Sequence, residues 1–138
     1  MNRKFVIVII LFAGLTAAGL SVAQQKRPYD QVMKEIQTTF ASLRKNLDAS
    51  AVAAVVEDAT KLEGLFAETH AFWTPFKTKD ALDAAKAGKD ASAAVAAAAR
   101  NNDVKKAQGA YNGIAKNCTG CHNSHREQMP DKSYRIKP

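Results

Sequence analysis

Five consecutive residues near the C-terminus, Cys118-Thr119-Gly120-Cys121-His122, have the types and spacing to carry chemistry. C-x-x-C-H is the attachment signal for c-type haem. Two thiols add across the two vinyl groups of one porphyrin, and the imidazole next to the second becomes an axial ligand of the iron. On a helix, residues three and four apart share a face, so Cys118, Cys121 and His122 would all present to one flat macrocycle. The competing chemistries demand more than the chain supplies. A structural zinc site wants two further Cys or His ligands at a suitable spacing, and these are the chain's two cysteines. His125 and His70 could complete such a site only in an unusual arrangement. A thioredoxin-like redox pair needs a strand–helix setting, which an alanine-rich, strand-poor sequence does not offer. A simple Cys118–Cys121 disulfide would leave His122 without a role.

Export suits the same chemistry, because bacteria attach c-type haem outside the cytoplasmic membrane. Residues 1–23 begin with Arg3 and Lys4, continue through an apolar run from Phe5 to Leu11 and beyond, and end at the small residues Ser21-Val22-Ala23. That is the layout of a secretory signal peptide with a small-x-small cleavage site, which places the mature protein in the periplasm. The alternative is an uncleaved membrane anchor, since the apolar stretch is nearly long enough to span; Gly14, Thr16 and Gly19 dilute it. Cleavage after Ala23 leaves residues 24–138, the size of one small domain. No later run approaches spanning length, so no membrane contact is expected after cleavage.

The formal charge of +7 falls to +5 once Arg3 and Lys4 are removed. A mild positive charge suits steering toward an acidic partner, but the basic residues are scattered. No basic patch interleaved with aromatics points to nucleic acid.

Four helical segments must position the pentapeptide. The first covers about 28–48, with Pro28 at its start and Val32, Met33, Ile36, Phe40, Leu43 and Leu47 on one stripe. The second begins near Ser50 as N-cap and carries Val52, Val55, Val56, Ala59, Leu62, Phe66 and Thr69 toward Trp73, where Pro75 breaks the pattern. The third, about 79–100, has an alanine face with Leu82 and Val95 as its large aliphatics, and Gly88 in the middle offers a kink or break. Asn102 and Asp103 then offer a cap for the fourth, whose face holds Val104, Ala107, Tyr111, Ile114, Cys118, Cys121 and His125. Pro130 should stop this helix and leave a loosely held tail, and no alternating run argues for a strand. The fold class expected is all-α, an antiparallel up-down-up-down four-helix bundle with haem bound to its C-terminal helix.

A C-terminal helix bearing CTGCHNSHR, after three amphipathic helices and a signal peptide, resembles the class II c-type cytochromes, the cytochrome c′ family with its low-spin relatives. The resemblance spans the mature chain, although only the haem motif is sharply specific. It implies thioether links at Cys118 and Cys121, His122 as proximal ligand, and Arg126 near a propionate or the proximal imidazole. Members commonly carry an aromatic where this chain has His125. Low-spin members donate a methionine from the first helix, which here implies Met33; otherwise the distal site is open and guarded by apolar residues.

Bundle topology puts Met33 and His70 both near the haem level, as the two candidate distal ligands, whereas His125 and Met129 share the fourth helix with His122. A soft thioether stabilises ferrous iron and raises the potential, which suits electron transfer. Met33 as simple core filler leaves a five-coordinate iron that binds small gases such as NO or CO. A peroxidase would need a distal acid–base group, for which His70 is the candidate. The expectation is an electron carrier, not an enzyme, iron-ligated by His122 and Met33. It would serve redox partner proteins, with pairing of two copies through the first two helices also implied by the resemblance.

Overall fold

A computed structural model of the chain describes residues 27–137; the signal-peptide expectation for residues 1–23 lies outside them. Four helices account for most of these residues: α1 Tyr29–Asp48, α2 Val52–Trp73, α3 Lys79–Arg100 and α4 Val104–His125. A 3₁₀ turn, Thr74–Phe76, follows α2, and two short strands, β1 Arg126–Gln128 and β2 Tyr134–Ile136, follow α4. None of the described helices is long and apolar enough to cross a membrane.

The helices alternate in direction, as side-chain pairings at both ends of the bundle record. At one end, Arg27 before α1 bonds Glu68 late in α2, and Asp80 at the start of α3 meets His125 at the end of α4. At the other, Asn46 late in α1 bonds Asp58 early in α2. A small apolar dimple there is lined by Leu47, Val55, Ala99 and Ala107 from all four helices. Leu43, Ala59, Leu62, Ala81, Val95 and Ile114 are fully buried between the helices. Small side chains on α3 let it lie close to both neighbours, since interaxial distance follows the residues at the contact.

Several local expectations change. Gly88 does not break α3, which runs as one helix through it. It is instead a socket: a Cβ there would lie 2.6 Å from Phe66 Cε1. Ser50 does not cap α2; Ala51 holds the N-cap position while Ser50 takes the left-handed backbone of the turn, φ 53°. Asp103 does cap α4, its Oδ1 accepting from the Lys106 amide at 3.0 Å. Val104, expected on the inner stripe, is exposed because it opens the helix before the bundle closes around it.

The C-terminal tail is the largest departure. Residues 126–136 form an antiparallel hairpin, with Arg126 opposite Ile136 and Gln128 opposite Tyr134. Asp131 makes the turn, its Oδ1 accepting from the Ser133 amide at 2.9 Å and from the Ser133 hydroxyl at 2.6 Å. Met129 therefore lies in the hairpin and not on α4, contrary to the expectation that it shares the helix with His122.

Candidate haem-attachment site

Cys118, Cys121 and His122 all lie in the last two turns of α4 and are all half-buried, while the intervening Thr119 and Gly120 are exposed. Helical spacing turns the three reactive side chains to the inner flank of the helix. Cys118 packs against the apolar core, as Met33 of α1 does. Burial pushes the Cys118 thiol up; burial, then the Asp80 carboxylate and Cys118, push Cys121 up. Both are thiols, not thiolates, at neutral pH. His122 moves the other way: burial first, then the positive charge of Arg126, lowers it. Its imidazole is therefore neutral at pH 7, with a nitrogen lone pair free to bind a metal.

Two aromatic contacts fix how α1 faces α4. The rings of Phe40 and Tyr111 stack with centroids 4.3 Å apart and planes within 4°. Nearer the end of α4, Trp73 of α2 bridges the helices: its indole N–H donates to the Tyr29 hydroxyl at 2.9 Å, and its ring lies 5.0 Å from that of His125. Between these contacts the antiparallel helices keep step. Met33 stands seven residues before Phe40 and Cys118 seven after Tyr111, so both lie two turns from the stack in the same direction. Met33 and Cys118 thus occupy one level of the bundle, on facing helices, half-buried against the same core.

The other candidate residues are placed differently. His70 is exposed on α2, and its backbone carbonyl accepts from the Thr74 hydroxyl at 2.8 Å. Arg126 opens β1 as an exposed residue with its guanidinium 4.1 Å from the Tyr134 ring centroid. His125 is turned inward, between Asp80 and the C-terminal end of the hairpin. Among the described residues no three His, Cys, Asp or Glu side chains converge to hold a metal ion. A zinc site built from Cys118, Cys121, His122 and a further histidine has no such convergence to rest on.

A porphyrin asks less of the protein, because it brings four of its own iron ligands. The donor set suits it: two thiols and one neutral imidazole on a single inner flank, with a half-buried thioether at the same level across the bundle. Three features of this end were not foreseen from the sequence: the Trp73–Tyr29 bond, the Asp80–His125 contact and the hairpin. The first two join residues distant along the chain, and the hairpin is local but its strands are only three residues each. No protein-family model and no curated protein matches this chain.

Proposed function

We propose that the chain is an exported, single-haem c-type cytochrome of the class II kind that works as a periplasmic electron carrier. Cys118 and Cys121 would hold the haem through thioether bonds, His122 would be the proximal ligand and Met33 the distal one. The observation that carries this reading is the shared level of Met33 and Cys118 on facing, antiparallel helices. A bound haem supplies one-electron chemistry at its iron.

The chain's own residues supply the rest. The two thiols are neutral and inward-facing, so they stay available for addition to the vinyl groups. His122 keeps its lone pair because burial and Arg126 disfavour its protonated form. Met33 offers a soft sulfur from the core side of α1, and soft donors favour the ferrous state. The reading as a gas-binding cytochrome c′ differs only in leaving Met33 as core filler. Exposed His70 offers little to a peroxidase, which needs an acid–base group over the iron.

Covalent attachment is the first test. The chain expressed with a haem-attachment system should gain one haem in mass that survives acid extraction, and Cys118→Ser/Cys121→Ser should lose it. A wild-type chain that never acquires covalent haem would overturn the proposal.

A further inference from the structure

Asn123 and Ser124 point into solvent and Arg126 is exposed, yet His125 between them is turned inward, with its side chain only 11% exposed. The helix stops at that residue: Arg126 has extended backbone, φ −117° and ψ 121°, and its amide closes the last turn on the His122 carbonyl. A terminal turn of this kind frays unless something holds it. Here the terminal turn carries His122.

His125 is tied on three sides. Its Nε2 lies 2.9 Å from Asp80 Oδ2 in the first turn of α3. Its Nδ1 lies 2.8 Å from the Lys137 carbonyl oxygen, an acceptor like the Asp80 carboxylate, so each of the two contacts is made by a ring N–H donating to it. The Lys137 amide in turn donates to the His125 carbonyl at 2.9 Å, so the end of the hairpin is bound to this residue twice. On its third side the ring packs 5.0 Å from that of Trp73, which is 1% exposed and bonded to Tyr29 of α1. One imidazole therefore joins the end of α4 to α3, to α2 and, through Trp73, to α1, and clamps the hairpin over that end.

We infer that His125 is a positioning residue for the haem-bearing turn: by latching the end of α4 to Asp80 and to Lys137, it fixes the orientation of His122 toward the iron. This rests on the haem reading above. Asp80, held below the usual carboxylate range chiefly by its hydrogen bond to His125, is the matching half of the latch. A phenylalanine at 125 would keep the ring against Trp73 and lose both nitrogen contacts. A glutamine would keep an N–H donor able to reach Asp80.

The test compares haem-loaded wild type with His125→Phe, His125→Gln and Asp80→Asn, reading amide exchange and the ferric EPR spectrum. In His125→Phe the Lys137 amide keeps its backbone acceptor but the hairpin end loses the imidazole's bond to the Lys137 carbonyl, so exchange of that amide should accelerate about tenfold, the scale of one lost hydrogen bond. Wild type should give one EPR species, and in His125→Phe that signal should broaden or divide as His122 samples several orientations. Asp80→Asn, which leaves α4 untouched, should shift the EPR signal in the same direction, and His125→Gln should recover part of the wild-type signal. An EPR spectrum unchanged in both His125→Phe and Asp80→Asn would overturn the inference, leaving His125 a fastener of the hairpin alone. A wild-type chain without covalent haem would remove the function itself, an outcome read before any variant is compared.

Discussion

The ring of Phe66 fills the space beside Gly88 so closely that a Cβ at residue 88 would sit 2.6 Å from Cε1 and 2.7 Å from Cδ1. Phe66 is in the core and cannot swing aside freely. Gly88→Ala gains about 1 kcal/mol of helix propensity, against an overpacking cost of about 1–3 kcal/mol. The expected balance is a loss of up to about 2 kcal/mol, a fall in Tm of several degrees for a domain this size. Gly64 on α2 is exposed, with nothing within 4 Å of an added Cβ. Gly64→Ala should therefore stabilise by about 0.5–1 kcal/mol. Thermal denaturation of the two variants side by side should give opposite signs.

Burial pushes the Tyr29 phenol up to about 12 from an ordinary value of 10.0, although its bond with Trp73 works against the shift. A raised value in the folded state means that the unfolded chain ionises first. The stability that Tyr29 contributes is complete below pH 10 and is lost as pH rises toward about 12. Urea denaturation at pH 9 and pH 11 should show a steeper loss in wild type than in Tyr29→Phe. Ultraviolet titration should show a late-ionising tyrosine that the variant lacks. Equal losses in the two proteins would contradict the half-buried, neutral phenol.

Much of the fold was legible because the helices announce themselves locally. Val32, Ile36, Leu43 and Leu47 recur at helical spacing and all are buried on α1, and α3 occupies the expected residues 79–100. Pro75 and Asp103 marked real boundaries, through a fixed φ and a side-chain cap. The hairpin was not legible because each strand is three residues long, too short for alternation to register against Pro130. Gly88 reads in sequence as a weak point, and only its neighbour on α2 shows that its lack of a side chain is used. His125 illustrates the general limit: its partners Asp80 and Lys137 lie 45 and 12 residues away, and spacing along one helix carries no trace of them.

Met33 is the residue on which the electron-carrier reading turns, and the Phe40–Tyr111 stack that sets its level makes the reading testable. The most direct measurement is the visible spectrum of the haem-loaded protein, ferric and ferrous, with and without CO, repeated on Met33→Ala. Methionine ligation predicts a ferric sulfur-to-iron band and sharp, split ferrous bands that CO leaves unchanged. It also predicts that Met33→Ala loses the ferric band and binds CO at once. A broad, high-spin wild-type spectrum that shifts immediately with CO would contradict the account, and would make this a five-coordinate, gas-binding cytochrome with Met33 as part of its core.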